Sequence, residues 1–239
     1  MAFLPPVVAR LMDQVVKPAA LVLGLSTLVP PAEARTDRPA TFVDVAQLVP
    51  GLILDVRYHG ADNFVGTRVD GYEAARCFLT RPAAEALAKV AEDARRQGYL
   101  LKLFDCYRPA RAVAHFARWA ADLADERTKA TYYPDLDKSE LFKEGYIASR
   151  SGHSRGSTLD LTLVHAATGA EADMGTPFDL FSPLSWPDSD AVTASQKANR
   201  IRLADLMKRH GFAPFAKEWW HFTLKDEPFP NTYFDFPIR

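Results

Sequence analysis

The sequence predicts an α+β fold, a single domain in which an antiparallel β-sheet packs against helices. Three observations lead there. Runs of strand length, apolar or alternating, recur at Tyr99 to Phe104, Thr158 to Val164 and Trp219 to Leu224, and longer stretches between them carry helical periodicity with start and stop residues. Strands and helices interleave, but the connections do not repeat as parallel βαβ units. The 239 residues are 48% hydrophobic and 25% charged, which supplies apolar side chain for one sizeable core.

Taken in order, residues 35 to 50 read as a polar lead-in, Gly51 to Tyr58 as a strand, and Gly60 to Gly71 as a loop rich in Gly, Asp and Asn. Thr80 caps a helix to about Gln97, with Pro82 in its first turn and Gly98 as its stop. Ala83, Leu87, Val90, Ala91 and Ala94 form its apolar face. After the strand at Tyr99, Pro109 opens a second helix toward Ala124, with Val113, Phe116, Ala117 and Ala120 inward. Asp125 to Ser151 is charged and irregular, a long loop with a short helix. In Thr158 to Val164, alternation puts Asp160 and Thr162 on one face and Leu159, Leu161 and Leu163 on the other. Gly169 to Ser195 reads as loop, and Ser195 caps a third helix with Ile201, Ala204 and Met207 inward and Gly211 past its end.

The first 34 residues differ from the rest. Arg10 and Lys17 precede an apolar run from Pro18 to Val29, and Ala32-Glu33-Ala34 offers the small residues that a signal peptidase reads. A cleaved secretory signal over residues 1 to 34 is expected, with a mature chain starting near Arg35 in the periplasm or outside the cell. Asp13 leaves an amphipathic N-terminal helix as the alternative. The run falls short of the roughly 20 apolar residues that cross a bilayer, and no other run reaches that length, so no stable membrane insertion is expected. A net charge of −1 without a basic stripe argues against nucleic acid as a partner. Cys77 and Cys106 allow one disulfide or two buried thiols, and their spacing excludes a Cys-x-x-Cys metal or redox pair. Nothing in the sequence specifies an oligomeric state.

The chemistry concentrates in two segments. Ser151-Gly152-His153-Ser154-Arg155-Gly156-Ser157-Thr158-Leu159-Asp160 places a histidine and an aspartate seven positions apart, and Glu218-Trp219-Trp220-His221 adds a second imidazole beside a spare glutamate. Three ligands plus a non-ligating acid suit a catalytic zinc, because a site with an open position holds a water that the acid can deprotonate. His153, Asp160 and His221 are therefore the expected ligands of one Zn²⁺ per chain, and Glu218 the general base. Two imidazoles and a carboxylate without soft sulfur favour zinc over copper or iron, with cobalt and manganese left open. A regular strand would point positions 218 and 221 to opposite faces, so Glu218 must lie at a turn or bulge. Arg108, just before Pro109, stands at a helix N-terminus, where the dipole disfavours a cation. That placement suggests a functional role, with a salt bridge to Asp105 as the structural alternative.

These segments resemble the D-alanyl-D-alanine dipeptidases of the VanX type. Asp105-Cys106-Tyr107-Arg108-Pro109, Tyr58 with Asn63-Phe64-Val65-Gly66, Val69-Asp70-Gly71-Tyr72, and Met174-Gly175-Thr176 with Phe178-Asp179 match as well, in family order from about Leu52 to His221. The resemblance implies a fold of the DD-peptidase and hedgehog kind, and zinc-dependent hydrolysis of a small D,D-dipeptide, D-Ala-D-Ala, to two D-Ala. It assigns Arg108 to the tetrahedral oxyanion, Asp179 to the substrate ammonium, Tyr58 and Tyr72 to that end of the pocket, and Ser151 to a hydrogen bond with the dipeptide. Gly152, where the family often has Ser, and Pro177 depart from the pattern. The runner-up function is a DD-carboxypeptidase or endopeptidase acting on larger muropeptides. A third is a non-catalytic, zinc-stabilised peptidoglycan-binding module, against which Glu218 and Arg108 argue.

Overall fold

The computed structural model describes Met1 and residues 38–239. The expected signal segment at 1–34 lies, apart from Met1, outside the described residues. A five-stranded sheet runs in the order β2 (Ile53–Leu54), β4 (Tyr99–Asp105), β5 (Thr158–His165), β7 (Glu218–Leu224), β6 (Phe212–Phe215). The neighbours from β4 to β6 are antiparallel, while β2 joins β4 in parallel. The sheet is thus mainly antiparallel rather than wholly so, because the chain crosses from β2 to β4 through the first helix. A separate pair, β1 (Phe42–Asp44) and β3 (Phe78–Thr80), is antiparallel.

Helix α1 (Arg81–Arg96) starts after Thr80 with Pro82 in its first turn and stops before Gly98, whose φ of +81° favours glycine. All five residues expected on its inner face are buried. α1 packs on β4 and on α4 (Ala194–Arg209), which lies against β6 and β7. α2 (Ala110–Ala121) ends three residues earlier than expected, and a short α3 (Lys129–Tyr132) occupies the charged segment after it. Strand β5 is buried along nearly its whole length, with Leu159, Leu161 and Leu163 at 0% exposure. Its core position explains why both faces are covered.

Several expectations need correction. The strand expected over Gly51 to Tyr58 shrinks to Ile53–Leu54, since Arg57–His59 turns into a 3-10 helix that sends Tyr58 inward. The lead-in contains β1, and β3 and β6 also form where only short apolar pieces were visible. α4 is capped by Thr193 rather than Ser195, in a reciprocal box with Gln196. Ile201 is 52% exposed, not inward; Arg200, Leu203, Leu206 and Met207 make the buried face. Arg200 holds the carbonyls of Met174 and Trp186 at 2.7 Å each, so a cation occupies a position that apolar periodicity assigns to a hydrophobe. The cysteines form a disulfide, with Cα atoms 5.4 Å apart, that ties the residue before β3 to the residue after β4.

Candidate active site

Strand register lines up the first functional row. Asp105 on β4 faces Asp160 on β5, which faces His221 on β7, so three neighbouring strands present these side chains side by side. His153 arrives from a 3-10 turn, Gly152–Arg155, whose N-cap Ser151 accepts a hydrogen bond from the His153 amide at 3.3 Å. Gly156 closes the turn at φ +83°, and a Cβ there would collide with the Phe42 ring.

Donor geometry fits zinc. Nδ1–H of His153 donates to the Cys106 carbonyl at 2.7 Å, which fixes the tautomer and leaves Nε2 with its lone pair. That Nε2 lies 3.2 Å from His221 Nδ1 and 3.3 Å from Asp160 Oδ2, while Asp160 Oδ1 is 3.1 Å from His221 Nδ1. The ligand atoms of the three residues all lie within 4.8 Å of one another. Donors about 2.1 Å from a tetrahedral zinc would be roughly 3.4 Å apart, close to the spacing observed. Asp160 Oδ1 is buried without a hydrogen-bond donor, as suits an oxygen whose lone pair would go to a metal. Burial lowers the His153 pKa, which keeps the imidazole neutral as a ligand requires.

Glu218 opens β7 at an irregularity where Pro214 faces Phe222 but Phe215 faces Glu218. The break in alternation, expected from the sequence, lets both Glu218 and His221 reach one centre: Glu218 Oε2 is 3.4 Å from His221 Nδ1. Burial pushes the Glu218 carboxyl up to about 7, against the pull of His221. Such a group exchanges a proton readily near neutral pH.

Arg108 makes the expected salt bridge to Asp105 and also faces the reaction cavity. Its Nε donates to Asp105 Oδ2 at 2.9 Å, its Nη2 lies 3.7 Å from Asp160 Oδ2, and it lines the cavity. The guanidinium also rests over the rings of Tyr58 and Phe116, at 5.1 and 5.0 Å. Asp179 is 4% exposed and, unusually for a residue other than glycine, has φ +62°. It accepts a hydrogen bond from Tyr58 at 2.8 Å, and burial, reinforced by the charge of Asp160, raises its pKa well above the usual carboxylate range.

Tyr58, Arg108, Ser151, His153, Asp179 and Glu218 share one cavity of about 270 Å³ with Asp160 and His221. Tyr72 does not line it. Its hydroxyl donates to Asp105 Oδ1 at 2.6 Å, so Tyr72 stands behind Asp105 and away from the place expected for it. Asp105 itself was visible only as a partner for Arg108; its Oδ2 also lies 3.4 Å from His153 Nδ1, which makes it the hub joining Tyr72, Arg108 and His153. The i,i+3 spacing of Asp105 and Arg108 was the available signal. Of the aromatic walls, Phe64 lies in a segment the family resemblance already marks, while Phe181 and Phe215 carry no chemical signal in the sequence.

Three convergent metal donors, an adjacent buried acid and a buried cation in one small cavity define a metal-dependent hydrolase. A family model for D-Ala-D-Ala dipeptidase, peptidase M15, matches residues 38–239. A D-alanyl-D-alanine dipeptidase of Streptomyces coelicolor is 49% identical over 197 residues, 82% of this chain and 98% of the relative. One of Enterococcus faecium is 45% identical over 199 residues, covering 83% and 98%. The Escherichia coli protein of that name is 34% identical over 182 residues, covering 76% and 83%. The chain belongs to the D-Ala-D-Ala dipeptidase family and is a zinc metallopeptidase.

Proposed function

We propose that the protein hydrolyses free D-Ala-D-Ala with Glu218 as general base, and that it does so outside the cytoplasm. The observation that carries the reading is the meeting of His153, Asp160 and His221 beside Glu218 in a cavity that also holds Asp179. Zinc held by those three side chains supplies a Lewis acid that acidifies water and polarises a carbonyl.

Glu218 takes the proton of the attacking water and returns it to the leaving amino group, so one carboxyl serves both halves of the reaction. Arg108, held in place by Asp105, donates hydrogen bonds to the substrate oxygen as negative charge develops there. Asp179, oriented by the Tyr58 hydroxyl, meets the free ammonium, and Ser151 hydrogen-bonds the dipeptide. A substrate without that ammonium forfeits the ion pair with Asp179, which disfavours N-blocked chains.

Two observations support export. The family match begins at residue 38, leaving the expected signal segment outside it. A disulfide between Cys77 and Cys106 also suits an oxidising compartment.

The test is turnover of D-Ala-D-Ala by zinc-loaded protein, read beside metal content. His153→Ala, Asp160→Ala and His221→Ala should each lose both. Full zinc stoichiometry in any of the three variants would remove that residue from the ligand set.

A further inference from the structure

We infer that Arg150 recognises the substrate carboxylate, and that a second cavity reached past Arg150 receives the C-terminal end of the dipeptide. The inference rests on the dipeptidase reading and names the group that reads the other end of the same substrate. A free dipeptide carries two charges, and Asp179 answers only the positive one. Its termini are roughly 7 Å apart when extended, so one side chain cannot meet both.

Two arginines line the reaction cavity, Arg108 and Arg150. Arg108 is engaged by Asp105 at 2.9 Å and lies beside Asp160. Arg150 makes no ion pair among the described residues; its guanidinium rests 5.3 Å over the Tyr233 ring. An exposed cation with no carboxylate of its own at the edge of a catalytic cavity is available to an anionic ligand.

The adjoining cavity, about 210 Å³, shares Val113, Arg150 and Ser151 with the first. Its remaining polar wall is Ser149, Ser154, Asn231 and Tyr233, with no acidic residue. Asp160, Asp179 and Glu218 all belong to the first cavity alone. The acidic side chains are thus confined to the first cavity, and among the described residues Arg150 is the one charged residue that lines the second, an arrangement that suits a zwitterion.

Ser154 adds an independent indication. It is 1% exposed and its Oγ has no hydrogen-bond partner, although it lines the second cavity. Its backbone is fixed, with N donating to Ser151 O at 3.1 Å and O accepting from the Phe234 amide at 2.9 Å. A buried hydroxyl with no protein partner, on the wall of a cavity, is free to donate to a ligand oxygen there. Ser151 stands between the two cavities and also caps the turn that delivers His153, which places the carboxylate end within one turn of a metal ligand.

The experiment compares kcat/KM for D-Ala-D-Ala and D-Ala-D-alaninamide in the zinc-loaded parent, Arg150→Met, Arg150→Lys and Ser154→Ala. The parent should prefer the acid. Arg150→Met should lose about 30-fold or more on the acid, mostly through KM, and little on the amide, so the acid-to-amide ratio collapses. Arg150→Lys should recover part of that ratio. Ser154→Ala should raise KM for the acid without lowering Tm, which a purely structural serine would not do. An active Arg150→Met enzyme with an unchanged ratio overturns the inference while leaving the dipeptidase reading intact. A parent inactive on both compounds overturns the dipeptidase reading, and the inference with it.

Discussion

Glu218 carries the heaviest chemical assignment of any single residue, and its replacement separates chemistry from metal binding. Glu218→Gln should keep zinc and lose about two to four orders of magnitude in kcat, as for a lost general base. Zinc content and kcat measured on the same preparation decide it, and loss of metal would instead make Glu218 a ligand. The raised pKa has its own consequence in metal-stripped protein. Between the ordinary 4.5 and about 7, the folded chain holds a proton that the unfolded chain releases, so this group's contribution to stability is full below 4.5 and is lost as pH rises through that window. Urea titrations across those pH values should show Glu218→Gln gaining stability relative to the parent as pH rises. A pH-independent difference would refute the buried-acid explanation. At this scale the sequence was most legible where residue type and spacing define chemistry: His153, Asp160, His221 and Glu218 meet as expected. It was least legible where a polar residue is buried for support, as with Tyr72 behind Asp105 or Arg200 beneath the loop that carries Asp179.

Among the elements, α1 was readable because Thr80, Pro82 and Gly98 bracket a clean apolar stripe, while β1, β3 and β6 were not, being three or four residues long and without room for a period. On α4, Met207 is buried as expected but Ile201 is exposed, and Arg200 holds a core position that apolar periodicity does not reveal. Gly152 also finds a local reason. A Cβ there would lie 2.9 Å from Thr158 Oγ1, so a larger residue would press on the Thr158 side chain and its hydrogen bond with Thr223. The Cys77–Cys106 bridge closes a sequence separation of 29 residues, which in the chain-entropy estimate stabilises by about 3 to 4 kcal/mol. Replacing both cysteines with serine should lower the urea-derived stability by roughly that amount. An unchanged midpoint would mean that the bridge adds nothing.

For the molecule as a whole, an α+β fold was predictable from the interleaving of elements, but the parallel β2–β4 pair was not, because β2 is only two residues long. Location is tested by N-terminal sequencing of protein from a periplasmic fraction, which should begin near Arg35. An intact Met1 in the cytosol would refute export. The central claim, a zinc dipeptidase that reads a free ammonium, is tested most directly by kcat/KM of the zinc-loaded enzyme on D-Ala-D-Ala, N-acetyl-D-Ala-D-Ala and a D-Ala-D-Ala-terminated pentapeptide. The free dipeptide should be cleaved at least about 100-fold better than the other two, since neither offers Asp179 an ammonium, and Asp179→Asn should narrow that gap. Comparable rates on all three substrates would contradict the claim and point to an open groove for larger muropeptides.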